Sequence, residues 1–226
     1  MSFTDFADIA SNKNQEIVIE HVATGTTVSF PAFITDYSDS YQVDWAEEQI
    51  FGRNDPIKPY QSTSRKIQVS FDVLSPSFEH AKDNLNKFQT LAKMLYPMYS
   101  APLDGSGGSV GRTVKAPPLL RIRFVNMIQS ASGQGSLLGC IDGIEFNPEQ
   151  DAGYFVERTG EIFPKLFKLN FNFTPQHESP LGWDAETKEF LTTTFPYSAG
   201  PSTAAIVSNG GQNDRLNAAT NDRLLD

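Results

Sequence analysis

Residues 45–73 read WAEEQIFGRNDPIKPYQSTSRKIQVSFDV, and the second half of this stretch decides the fold. Ile67, Val69, Phe71 and Val73 alternate with Lys66, Gln68, Ser70 and Asp72. Successive side chains of a strand point to opposite faces, so a period of two predicts a strand with one buried and one solvated side. The first half reads differently. Gly52, Asn54-Asp55-Pro56 and Pro59 interrupt regular structure, yet Ile50, Phe51, Ile57 and Tyr60 are more apolar surface than a solvated loop needs. Residues 46–64 are expected to form a long loop docked on the subunit itself or, preferably, on a neighbour. A structureless loop of that length is uncommon in a compact domain unless it has a task.

Upstream, residues 16–22 (EIVIEHV) and 26–35 read as strands joined by a turn at Ala23-Thr24-Gly25, where glycine can supply a positive φ. Pro31 marks an edge strand or a bulge. Residues 36–40 read as a turn, after which Tyr41, Val43 and Trp45 alternate with polar residues to complete a β-meander. Downstream, Ser75-Pro76 announces a helix over about 76–96, with Ser75 as N-cap and Glu79 in the first turn. Phe78, Ala81, Leu85, Phe88, Ala92 and Leu95 form its apolar stripe, and Pro97 stops it. Residues 103–115 (LDGSGGSVGRTVK) read as a flexible loop. Further strands are expected at Leu120, Ile122 and Phe124, over 137–146, from Tyr154 to Glu157, and around Phe167, Leu169, Phe171 and Phe173. The fold expected is mainly β: a barrel or sandwich of about seven or eight antiparallel strands with one flanking helix. Residues 1–14 form an arm, 15–183 the β domain, and 184–226 an extended C-terminal arm ordered against a partner.

Composition agrees with this class. The 226 residues are 39% hydrophobic and include 17 phenylalanines, enough to fill a core without metals or disulfides. A net charge of −9 argues against gripping phosphate backbones, which needs clustered Lys and Arg. Cys140 is the single cysteine and sits among apolar neighbours, as a buried inert thiol would. The N-terminus lacks a secretion signal, and no window approaches the roughly 18 apolar residues of a membrane span.

Reactive constellations are not legible. His21, His80 and His177 are the only histidines, with no H-x-x-x-H and no second cysteine to complete a transition-metal site. The glycine-rich loop ends in Arg112 and Lys115 but lacks G-x-x-x-x-G-K-[ST]; Gly107-Gly108-Ser109-Val110-Gly111 has the bare G-x-S-x-G spacing, but no apolar strand leads directly into it as the nucleophile elbow of a serine hydrolase requires. Glu47-Glu48 is better read as a solvated face than as a glycosidase pair. A non-enzymatic protein without cofactors or metals is expected.

Several stretches carry a resemblance. They are Phe51-Gly52-Arg53-Asn54-Asp55-Pro56-Ile57 with Tyr60-Gln61, Arg65-Lys66-Ile67 through Phe71-Asp72-Val73, and residues 91–99 (LAKMLYPMY). Residues 116–124 (APPLLRIRF), Leu138-Gly139-Cys140-Ile141, Pro164-Lys165, Phe171-Asn172-Phe173 and His177-Glu178 continue it. In this order, over about residues 15–183, the chain resembles the tail-tube-fold family of contractile bacteriophage tails, especially tube-initiator and baseplate-hub proteins.

That resemblance implies a structural virion protein, assembled in the host cytoplasm. Six copies would close into a ring at the baseplate hub that initiates the inner tube. DNA would pass through its lumen without specific binding, and no membrane is involved. The partners implied are copies of the chain, hub proteins and tube proteins. A ring demands different patches on each subunit's two sides, and open sheet edges can be closed by neighbours. Assembly contacts are expected at Ile50, Phe51, Arg53, Ile57, Tyr60, Arg112, Trp183, Phe190 and Phe195. A bacterial injection tube is an alternative within this class. A baseplate-wedge or peptidoglycan-binding adaptor and a tail-associated cell-wall hydrolase are the readings outside it.

Overall fold

The computed structural model describes residues 16–31, 33–100, 112–131, 135–157, 160–192 and 194–197. The first seven strands named here form one antiparallel sheet: β1 (Glu16–His21), β2 (Thr26–Pro31), β3 (Phe33–Trp45), β4 (Tyr60–Leu74), β7 (Leu120–Phe124), β8 (Leu137–Pro148) and β11 (Leu166–Pro175). Their order is β2-β1-β7-β8-β11-β4-β3. Two short hairpins pair β5 (Met98–Tyr99) with β6 (Val114–Ala116), and β9 (Tyr154–Val156) with β10 (Ile162–Pro164). The helix α1 spans Phe78–Met94.

The sheet is rolled but not closed. β2 and β3 are its two edges, yet a single residue separates them in sequence. The Phe30 ring of β2 lies 6.0 Å from that of Phe71 on β4, across the sheet's interior, although four strands separate the two in the sheet order. Ile17, Ile19, Phe30, Ile67, Val69, Phe71, Val73, Ile122, Phe167, Leu169, Phe171 and Phe173 fill the space between. The alternations expected at 67–73 and 167–173 thus both face inward, and they pair directly, Phe171 opposite Val69 and Leu169 opposite Phe71.

Helix α1 packs against β2 and the β9–β10 hairpin. Leu91 and Met94 join the core, and Phe88 stacks on Phe146 of β8 at 4.4 Å. Phe78 is held at the other end by Phe155 and Phe163. The N-cap is Ser77, extended at φ −137°, whose side chain accepts from the His80 amide. Ser75 is instead buried, and its Oγ accepts from Asn84 Nδ2 at 3.0 Å. The buried face runs Ala81, Asn84, Leu91 and Met94, so the stripe read through Leu85 and Ala92 is rotated slightly from the observed one.

The N-terminal third departs most from expectation. Residues 36–40 form no turn; β3 continues from Phe33 to Trp45 and pairs with β4 along its length. The expected meander is therefore a β1–β2 hairpin at one edge and a β3–β4 hairpin at the other. A register shift between Ile34 and Asp36 brings Tyr37, Asp39 and Tyr41 onto the inward side, which hides the alternation. Cys140 is half-buried. The expected arm at 1–14 and most of the glycine-rich loop (103–111) lie outside the described residues.

Candidate assembly surface

The β3–β4 hairpin grades from core to solvent along one face. Near its root, Ile34 lies opposite Phe71 and Tyr37 opposite Val69. Next come Asp39 opposite Ile67 and Tyr41 opposite Arg65, then Val43 opposite Thr63 and Trp45 opposite Tyr60. From Tyr41 outward the apolar groups are exposed, and Trp45 and Tyr60 hold each other edge to face at 5.6 Å. The hairpin does not end there. Glu48 and Ile57 exchange backbone hydrogen bonds of 2.9 Å, so the segment expected as loop is a structured tip.

At that tip Ile50 is substantially exposed and Phe51 completely so, with Gly52 at φ +88° turning the chain beside it. Arg53 and Ile57 are exposed as well. The structure therefore brings Ile50, Phe51, Arg53, Ile57 and Tyr60 together on one projecting arm. Arg112 is not part of it; it is exposed beside the β5–β6 hairpin.

Trp183, Phe190 and Phe195 make ring contacts within the chain. Trp183 and Phe190 pair as a small bridge, with rings 5.5 Å apart, and Phe190 stacks on Phe195 at 5.7 Å. Phe195 meets Tyr41 and His177 edge to face. Residues 184–192 and 194–197, expected in the C-terminal arm, thus return to the root of the hairpin, and residues 193 and 198–226 lie outside the described residues. Trp183 alone of these three remains largely exposed.

Beneath this return lies a polar cluster that sequence reading missed. Arg65 donates to Asp39 through Nε at 3.0 Å and Nη2 at 2.6 Å, and both side chains are 4% exposed. Tyr41 and Tyr197 donate to Asp39 Oδ2 at 3.0 and 2.7 Å. The guanidinium lies 5.5 Å from the Tyr41 and Phe195 ring centres and 6.0 Å from that of Tyr197. Burial pushes the Asp39 carboxyl up, but hydrogen bonds from Arg65 and Tyr197, together with the guanidinium charge, hold it below its ordinary value. Burial would lower Arg65, and Asp39 raises it more. Burial raises both Tyr37 and Tyr41, so their hydroxyls remain donors. The cluster is a satisfied structural pair and offers no nucleophile. Among the described residues no three His, Cys, Asp or Glu side chains gather as metal ligands would, and no helix is long and apolar enough to cross a membrane.

No known family model matches the sequence, and no curated protein matches it significantly. Solved structures similar to this chain include two phage-tail or tail-like proteins. One is the Dit (gp 19.1) protein of SPP1, described as a paradigm of the hub adsorption apparatus in phages infecting Gram-positive hosts. It aligns at 11% identity over 71% of this chain and 49% of its own, with a TM-score of 0.36. The chain spans about half the length of that protein. The other is a chain in the tail of an empty GTA particle with C6 symmetry, at 11% identity over 76% of this chain and 97% of its own, with a TM-score of 0.30. Likeness at this level says nothing further about this chain.

Proposed function

We propose that this chain is a non-enzymatic structural protein of a contractile phage tail, forming a ring, a hexamer, at the baseplate hub on which the inner tube begins. The observation that carries the reading is the β3–β4 arm: a structured tip that places Phe51 and Ile50 in solvent beside an open sheet edge. An isolated Phe on a surface is unremarkable, but an ordered arm ending in apolar groups costs chain entropy that a monomer does not recover. A second copy recovers it. Burying a phenylalanine side chain is worth about 1.5–3 kcal/mol.

The open edge β3 supports the same reading. Its thirteen residues carry Asp36 and Asp44, charges that discourage indiscriminate strand pairing while leaving the backbone available to a specific neighbour. Sequence resemblance to tube-initiator and hub proteins supplies the choice of particle.

Negative-stain microscopy of the purified chain tests the proposal. Rings of uniform diameter are expected, and a Phe51→Asp chain should give none. Truncation after Tyr197 keeps the Tyr197–Asp39 bond. It should leave a folded domain that enters tails poorly, and normal incorporation would remove residues 198–226 from the mechanism.

A further inference from the structure

We infer that residues 190–192 and 194–197 are a releasable clasp over the root of the β3–β4 hairpin, fastened on the Asp39–Arg65 pair and opened when His177 takes up a proton. The inference goes beyond the assembly reading and can fail without it.

Among the described residues, the clasp is held to the domain by side-chain and backbone hydrogen bonds and by ring contacts, a Tyr37–Tyr197 hydrogen bond among them. Tyr197 reaches Asp39, Thr194 Oγ1 donates to the Ala131 carbonyl at 2.7 Å, and the Leu191 amide donates to the Gly182 carbonyl at 2.9 Å. Phe195 supplies the apolar contact, resting on Tyr41, His177 and the Arg65 guanidinium. These four residues, with Tyr60, Leu181 and Phe190 among others, line a cleft of about 320 Å³. The cleft lies beside the clasp and outside the hydrophobic core, so the clasp can lift without opening the core below it.

His177 is placed to decide whether it lifts. Its ring lies 5.5 Å from that of Phe195, and Nδ1 is buried without a hydrogen bond. The charged groups that act on it are Arg65 on β4, which repels a proton, and Asp39 on β3, which attracts one. Asp39 is already committed to Arg65, Tyr41 and Tyr197, while Glu178, next in sequence, is paired with Arg121 at 2.6 Å. A charge on His177 in the closed form therefore lies close to the Arg65 guanidinium, under the Phe195 ring, with no uncommitted carboxylate to offset it. Burial and then Arg65 hold its pKa below the ordinary 6.5 while the clasp is closed. Released into water, the imidazole regains its ordinary basicity, so mild acid favours the open form. Opening uncovers Tyr41 and Arg65, continuous with Val43, Trp45 and Tyr60 on the same face.

Amide hydrogen exchange on the full chain tests this at about pH 7.5 and about pH 5.5, with rates normalised to the intrinsic pH dependence of exchange. Protection over residues 190–192 and 194–197 should fall several-fold in mild acid while that of β4 at Phe71 is unchanged. His177→Phe keeps a ring under Phe195 and should abolish the pH difference. Tyr197→Phe should lower protection at both pH values and retain the difference. Equal wild-type protection at the two pH values, or a pH difference that survives His177→Phe, would overturn the inference.

Discussion

Arg65 and Asp39 meet diagonally across β4 and β3, two positions out of direct register, and close a 2.6 Å ion pair where the hydrophobic core gives way to the projecting arm. Removing one partner strands a buried charge. Arg65→Ala is expected to destabilise the domain by about 3–5 kcal/mol in urea unfolding. The double variant Arg65→Met/Asp39→Leu should cost much less, because neither charge is left alone.

Gly139 tests the packing of β8 on β11. A Cβ there would run into the Thr174 carbonyl and the Phe173 ring, whereas one at Gly143, in the same strand, meets open space. Gly139→Ala should lose about 1–3 kcal/mol. Gly143→Ala should be neutral or slightly stabilising, since alanine loses less chain entropy on folding. Thermal unfolding of the pair separates the two effects.

Two groups shape the acid limb of stability. Both folded-state values are lowered, Asp39 below 3.8 and His177 below 6.5. In each case the unfolded chain takes up the proton first as pH falls. The stability each group contributes is complete above its unfolded value and is lost as pH drops from there through the folded value. Stability should therefore begin to fall near pH 6.5 through His177, and again below about 3.8 through Asp39. His177→Phe should remove the first decline and spare the second, measured as unfolding midpoints across pH.

What was legible in the residues follows from periodicity. Both central strands, β4 and β11, announce themselves because every second residue is a large apolar group committed to the core. The helix is legible for the same reason, although its cap is displaced by two residues because two serines flank Pro76 and local preference cannot choose between them. β3 was hidden. It is an edge strand with a register shift, and the run Asp36-Tyr37-Ser38-Asp39-Ser40 has the composition of a turn. Of the expected contact residues, those on 50–60 drew notice because surplus apolar groups in a polar setting need an explanation, and the structure leaves them exposed on the hairpin arm. Phe190 and Phe195 looked like parts of a free arm because their partners, Tyr41, Arg65 and His177, are distant in sequence. The Asp39–Arg65 pair was invisible for that reason too: charge pairing across 26 residues leaves no local signature.

Phe51 and Leu91 should behave as opposites. Leu91 is fully buried against the sheet, so Leu91→Ala should cost about 2–5 kcal/mol of stability. Phe51→Ala removes a side chain that touches only solvent in the single chain, so at concentrations too low for assembly the unfolding midpoint should not move.

The most direct measurement is the mass of particles formed by the wild-type chain and by an Ile50→Asp/Phe51→Asp variant across a concentration series, using light scattering after size exclusion. A closed ring mass for the wild type and a folded monomer for the variant are expected. A wild-type chain that stays monomeric at high concentration, or a variant that assembles equally well, would contradict the central claim that the β3–β4 arm is completed by another copy.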